Sequence, residues 1–276
     1  MPKSFRRYDF GRITCYALSG AKESPTLALA DLLLPPDGDE AKRLPAEKTA
    51  VLEGAHSCLL VEIADRRILI DGSLNAAVVR ASIAEIGLDE PGIDLVLITH
   101  GDTDHIAGLV DGQHDLIYQD AGYVVPRGLW DAWVTDGKRG DANPFYSDEQ
   151  RAIAQALASQ IENRVLLLDG DAEIEPGIRA IAAPGHRPSH MAYELTDGEH
   201  RLLHVGDALI ATILVDQPLR GNAFDSDPEQ GIQSRLKLLE QAALPHTLTY
   251  VPHFPFPGFA RIERHKGRFT YSQPMP

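Results

Sequence analysis

Thr99-His100-Gly101-Asp102-Thr103-Asp104-His105 puts two imidazoles and two carboxylates into six consecutive positions. Imidazole nitrogen and carboxylate oxygen are the donors that a divalent transition metal accepts. Asp and Thr are also ordinary turn and helix-cap residues. That accounts for Asp102 or Thr103, but not for two histidines bracketing two aspartates. Further along, Pro184-Gly185-His186, Gly206-Asp207 and Pro252-His253 repeat the theme of a lone donor beside a tight turn. Asp71, followed by Gly72, either points into a cleft or caps the next helix.

Donors so far apart in the chain meet only if regular elements carry them to one place. Each follows an apolar run that reads as a buried strand. Ile93–Ile98 precedes the 99–105 cluster. Arg67–Ile70 precedes Asp71, and the segment 178–182 precedes His186. The segments 201–205 and Thr247–Val251 precede Asp207 and His253. If these strands are neighbours in packed sheets, five strand ends converge on one edge. Rigid strand ends also make good platforms for side chains that must converge. An opening strand is expected at 11–18, and Ser57–Ile63 pairs with Arg67–Ile70 as a hairpin. Strand-like pieces are expected at 115–118, 122–125, 164–168, 172–175 and 191–195, and a closing hairpin at Phe259–Arg264 with Arg268–Tyr271. Helices are expected at about 74–87 (ending at Gly87), 103–110, 147–161 and 228–243. His56, His114, His200, His204, His246 and His265 lack the strand-end context and read as structural or surface residues.

The 276 residues fit one large α/β domain or two small ones, with ample core. A charge of −14 disfavours nucleic acid and anionic lipid as partners. Two cysteines give neither a disulfide framework nor a Cys-rich zinc module. No signal-like or membrane-spanning stretch is seen, so a cytoplasmic protein is the simplest expectation. Residues 20–50 read as a surface excursion: a lid, a homodimer arm or a plain solvated loop. Trp130 and Trp133 lie within one helical turn and either pack in the core or wall a substrate pocket. Phe145, Tyr146, Phe254 and Phe256 are further candidates for an apolar pocket. Such a lining favours a small, neutral or hydrophobic ester.

Taken together, Thr99–His105, Gly185-His186, Gly206-Asp207 and the late His253 resemble the signature of the metallo-β-lactamase-fold metallohydrolases in order and spacing. Trp130/Trp133, Phe224–Pro228 and His253–Gly258 look like the branch holding methyl-parathion-hydrolase-like and lactonase-like enzymes. The resemblance implies one domain, a four-layer αβ/βα sandwich with two mixed β-sheets, and two metals at one edge. By position, His100, Asp102 and His186 would hold the first metal, and Asp104, His105 and His253 the second. Asp207 would bridge them, with Asp71 and His190 orienting ligands from behind. Zinc is the expected metal.

The resemblance further implies a hydrolase acting on a carboxylic ester, lactone or phosphotriester. Two such metals bring the pKa of a shared water from about 15.7 to near 7, which makes hydroxide available for attack. Asp104 or Asp207 would then pass a proton to the leaving group. Lactonases of the superfamily often place a Tyr shortly after the bridging Asp. Here Ala208, Leu209 and Ile210 follow Asp207 instead.

One departure stands out: the family usually has a second His where this chain has Asp102. The extra carboxylate makes the site harder, which admits manganese or iron. It also keeps open a di-iron redox enzyme of the same fold, or an impaired metal-binding scaffold. On the sequence alone, Asp102→His is expected to keep or tighten the first site.

Overall fold

The computed structural model describes residues 4–21, 26–34, 51–88, 92–135 and 147–274. Two seven-stranded sheets dominate it. The first runs in the order β1 (Phe5–Phe10), β2 (Ile13–Ser19), β5 (Ser57–Ile63), β6 (Arg66–Ile70), β7 (Leu95–Leu97), β8 (Gly122–Pro126) and β9 (Val165–Leu168). Antiparallel hairpins build its first half, and β6 to β9 are mutually parallel. The second follows chain order: β10 (Ala172–Glu175), β11 (Ile178–Ala182), β12 (Met191–Asp197), β13 (His200–His204), β14 (Thr247–Tyr250), β15 (Phe259–His265) and β16 (Arg268–Ser272). Only β13 and β14 are parallel there. A short ribbon, β3 (Thr26–Ala28) with β4 (Val51–Glu53), lies apart from both sheets.

Alternation of side chains along a strand explains the layering. In β5, Cys58 and Leu60 face one core, while Leu59, Val61 and Ile63 face another. β6 repeats this with Leu69 against Ile68 and Ile70. The second group meets Tyr193, Leu195, Leu202, Leu248 and Tyr250 of the other sheet, so it fills the space between the sheets. The first group packs under three helices: α2 (Ala76–Ile86), α4 (Arg127–Val134) and α5 (Asp148–Ile161). Beyond the second sheet, Ile181, Leu203 and Ala260 pack against α6 (Ile213–Asp216), α7 (Pro228–Ala242) and the short α1 (Leu29–Leu32). The order is helix, sheet, sheet, helix, which is the expected αβ/βα sandwich.

The helices end where local chemistry stops them. Asn75 accepts from the Val78 amide at the start of α2, and Gly87 closes it in the left-handed region at φ 83°. Ser147 and Gln150 form a reciprocal capping box at the start of α5. The five apolar positions of α5, Ile153, Ala154, Leu157, Ala158 and Ile161, are all buried. Leaving any one large apolar side chain exposed instead would cost roughly 1.5–3 kcal/mol.

Three expectations need correction. β1 was not foreseen, because Phe5-Arg6-Arg7-Tyr8-Asp9-Phe10 is an edge strand whose exposed face is charged. Residues 115–118 form only an isolated bridge through Leu116. The expected short helix after the 99–105 motif is present as one α-turn, α3 (Thr103–Ile106), continued by a 3-10 turn to Leu109, but its N-cap position is Asp102 rather than Thr103. Of the 20–50 excursion, residues 22–25 and 35–50 lie outside the described residues, and with them most of the expected dimer arm.

Candidate metal centre

The five strand ends do converge. Asp71 follows β6, and residues 99–105 follow β7. His186 follows β11, Asp207 follows β13 and His253 follows β14. The loops at the ends of parallel strands are where open α/β sheets place ligands. Two close approaches hold these loops together. A Cβ on Gly185 would come within 2.3 Å of the Gly231 backbone on α7, and one on Gly206 within 2.4 Å of His190 Nε2. Only glycine fits at either position.

Four imidazoles turn the same edge inward. His105 Nδ1 donates to Asp71 Oδ2 at 2.8 Å. His186 Nδ1 donates to Asp225 Oδ1 at 3.2 Å, and His253 Nδ1 to the Ala55 carbonyl at 2.9 Å. Thr99 Oγ1 gives its single proton to Asp71 Oδ2 at 2.8 Å, so it accepts from His100 Nδ1 at 2.9 Å. With each Nδ1 occupied as a donor, each Nε2 edge faces the site, where His105 Nε2 and His253 Nε2 lie 3.3 Å apart. Asp71 is thus the hub: it also accepts from the Thr99 amide, is 1% exposed and sits at φ 60°. Such a backbone costs on the order of 1–3 kcal/mol and persists where the surroundings over-determine it.

The Nε2 edges meet carboxylates. Asp207 Oδ2 lies 3.5 Å from His186 Nε2, 3.9 Å from His100 Nε2 and 3.2 Å from His253 Nε2. Its Oδ1 is 3.1 Å from His105 Nε2. Asp207 therefore faces all four rings, and its own amide donates to His190 Nε2 at 3.0 Å. Asp104 Oδ2 is 3.5 Å from His253 Nε2 and 3.9 Å from His105 Nε2. Asp102 Oδ2 is 3.4 Å from His186 Nε2 and 3.7 Å from His100 Nε2. Three sets bring their donor atoms within 4.8 Å of one another: His100/His186/Asp207, His105/Asp207/His253 and His56/Asp104/His253.

This donor set fits cations. His100 Nε2 and His186 Nε2 are buried without a hydrogen-bond partner, and Asp207 Oδ1 likewise. Buried polar atoms are otherwise almost always satisfied. Bare nitrogen edges beside carboxylate oxygens are what a divalent transition metal requires. The protonation balance agrees. Burial alone would lower the pKa of His186, but the carboxylates of Asp102, Asp225 and Asp207 around its ring raise it to about 9. His105 and His253 rise in the same way, against burial, because Asp207 lies beside both. Asp102, Asp104 and Asp207 are held below the usual carboxylate range by these histidines, again against burial. Cations would take the place of those protons.

Three residues bearing on the site were not found from the sequence. His56, read as structural, places Nδ1 3.1 Å from Asp104 Oδ2 and stands in the cleft wall. Asp225 orients His186 and is itself paired to the buried Arg235 of α7. Arg187 grips both oxygens of Asp102. All three act across chain separations that no spacing reveals, although Arg187 does adjoin His186.

The expected pocket lining is largely corrected. Trp133 is 3% exposed inside the core beneath α5, and Trp130 packs against the same core. A pair spaced three apart on a helix faced the core. Phe254 is buried behind the second sheet beside Tyr271, and Phe256 packs on the inter-sheet core under Arg6. Phe145 and Tyr146 lie outside the described residues. The cleft at the site measures about 310 Å³. Leu27 and Leu52 of the β3–β4 ribbon, Ile210, Ala211, Phe224 and Pro255 supply its apolar walls. No tyrosine lines it among the described residues.

A sequence model of the metallo-beta-lactamase superfamily matches residues 51–253. The chain belongs to the metallo-beta-lactamase superfamily. No curated protein matches it in sequence. Among solved structures, it is similar to AidC, a dizinc quorum-quenching lactonase in complex with a product. That likeness has a TM-score of 0.80 at 21% identity, over 99% of this chain and 98% of the other. It is also similar to the hydrolase AbOPH of the beta lactamase superfamily, with TM-score 0.76 and 19% identity over 100% and 99% of the two chains. A probable metal-dependent hydrolase from Staphylococcus aureus gives TM-score 0.75 and 19% identity over 98% and 100%. At these identities the likeness speaks for the fold of the superfamily. No helix among the described residues is long and apolar enough to cross a membrane.

Proposed function

We propose that this protein is a two-metal hydrolase of small, neutral or hydrophobic ester-type substrates: carboxylic esters, lactones or phosphotriesters. One observation carries the reading. Four imidazoles, each with Nδ1 fixed from behind, aim Nε2 at Asp207 beside an apolar cleft, with Asp102 next to His100 and His186 and Asp104 next to His105 and His253. His100, His186 and Asp102 would hold one cation, His105, His253 and Asp104 the other, with Asp207 between them. Two such cations supply a Lewis acid and a hydroxide at neutral pH.

The remaining work belongs to the chain's own residues. Leu27, Leu52, Ile210 and Phe224 give the substrate an apolar seat and keep bulk water off the reacting bond. The cleft formed by the described residues, about 310 Å³, suits a small acid or alcohol portion. Asp104, steadied by His56, is the carboxylate placed to hand a proton to the leaving group. Cleaving the ester bond with one water, which gives an acid and an alcohol, needs no redox partner. The di-iron alternative draws on the harder oxygen donor that Asp102 supplies in place of an imidazole.

The similarity to a dizinc lactonase and a hydrolase of the same superfamily supports zinc and an ester-type bond. The test is metal analysis of the purified protein, followed by a screen of lactones, aryl esters and phosphotriesters. The reading expects about two zinc or manganese ions per chain and hydrolysis that a chelator abolishes. Iron with oxygen consumption would replace it with the redox reading. Substoichiometric metal, with no activity after reloading, would leave only a scaffold.

A further inference from the structure

We propose that Asp102 and Arg187 act as one electrically neutral ligand unit in the first half of the centre. Arg187 is a positioning residue that locks Asp102 and cancels its charge. The inference rests on the two-cation reading above and concerns how this chain accommodates an aspartate there.

Arg187 Nε donates to Asp102 Oδ1 at 2.8 Å, and Nη2 donates to Oδ2. This is the two-pronged pairing for which a planar guanidinium is suited. Nη1 donates to the His186 carbonyl at 2.6 Å, to the Phe224 carbonyl at 2.9 Å and to Ser226 Oγ at 3.3 Å. The side chain is buried, so the fork is fixed on both of its faces. Oδ1 is turned to the guanidinium. Oδ2 also faces His186 Nε2 and His100 Nε2, so one direction of that oxygen remains for a cation. The pair therefore offers a single donor atom with no net charge, which is what a neutral imidazole offers. It lies one residue beyond His186, so one tight turn delivers both a ligand and the counter-charge for another.

This reverses the expectation for Asp102→His. With Arg187 in place, a histidine at 102 leaves a buried guanidinium with no carboxylate, close to where a cation must bind. The test is a double-mutant cycle of Asp102→His and Arg187→Met. It is read first as the melting temperature of the chelated protein and then as zinc affinity by calorimetry.

Asp102→His alone is expected to lower the melting temperature by about 10 °C, as breaking one side of a buried ion pair does. It should also weaken the tighter zinc step by about tenfold or more. The double variant should recover most of both losses. Arg187→Met alone should raise manganese affinity relative to zinc, because the bare carboxylate is harder. Arg187→Lys keeps the charge but not the fork, and serves the same cycle if the methionine variant fails to fold. Additive effects in the chelated protein, or an Asp102→His variant with unchanged melting temperature and zinc affinity, would overturn the unit. The two-cation reading fails separately, if the unaltered protein binds fewer than two metals while the cycle still shows coupling.

Discussion

The two halves of the centre fix their imidazoles by different means. In the half built on His100, Asp102 and His186, every ligand is backed by a further side chain. Thr99 backs His100, Arg187 backs Asp102, and Asp225 backs His186, with the buried Arg235 behind Asp225. In the half built on Asp104, His105 and His253, the supports are simpler: Asp71 for His105, a main-chain carbonyl for His253 and the partly exposed His56 for Asp104. The first half is an interior charge network whose members depend on one another. Both halves open on the cleft, the first through Asp102 and His186 and the second through Asp104 and His253. On the two-cation reading, the difference is one of charge: the network of the first half supplies Asp102 with a counter-charge in Arg187.

The most damaging change to this comparison is His253→Ala. Loss of an outer support costs metal sites about 10–100-fold, so loss of a direct ligand should cost more than about 100-fold. Metal content is expected to fall from about two per chain to about one, with hydrolysis lost. Unchanged occupancy would remove His253 from the second half.

Asp71→Asn and Asp225→Asn separate the halves. Asp71 reaches His105 directly and His100 through Thr99, so its change should weaken both metal steps by about 10–100-fold. Asp225 touches only His186 among the ligands, so its change should weaken one step by a similar factor. Two-step titration calorimetry distinguishes them. Equal effects of the two substitutions on both steps would erase the distinction drawn here.

The pH dependence of the chelated protein sharpens the comparison further. His186 is raised to about 9 in the fold, above the unfolded value of 6.5. Its contribution to stability is full below 6.5 and is lost as pH rises toward 9. Buried His204 runs the other way: burial lowers it to about 4, so stability also falls as pH drops below 6.5. The melting temperature of the chelated protein should peak near neutrality and fall on the order of 5 °C by pH 9. Metal-loaded protein should lack that alkaline fall, because its histidines carry no proton to lose. A parallel alkaline fall in both would contradict the exchange of protons for cations.

The smallest expected effect is that of His56→Ala. It leaves every direct ligand in place and removes only the support of Asp104, so a loss of about tenfold in the weaker metal step is expected. A loss as large as that of His253→Ala would make His56 a ligand in its own right, as its place in the His56/Asp104/His253 group permits.

The layering was legible in the sequence because β5, β6 and β7 are largely apolar on both faces, and β6 and β7 run into Gly-containing loops. The strand-end donors were legible as a group, although Asp71 alone read equally as a helix cap and the ligand roles came from the family resemblance. What was not legible depends on approach in space. Arg187 meets Asp102 across 85 positions, and His56 meets Asp104 across 48. The tryptophans misled because spacing shows that Trp130 and Trp133 share a face, but not what that face meets. The apolar cleft walls came instead from Leu27, Leu52 and Ile210, aliphatic residues that any core also uses.

The most direct test of the whole arrangement is an anomalous-scattering map of zinc-loaded crystals. Two peaks about 3.5–4 Å apart are expected. One should lie about 2.1 Å from His100 Nε2 and His186 Nε2, the other about 2.1 Å from His105 Nε2 and His253 Nε2. A single peak, or zinc bound away from these four nitrogens, would contradict the account.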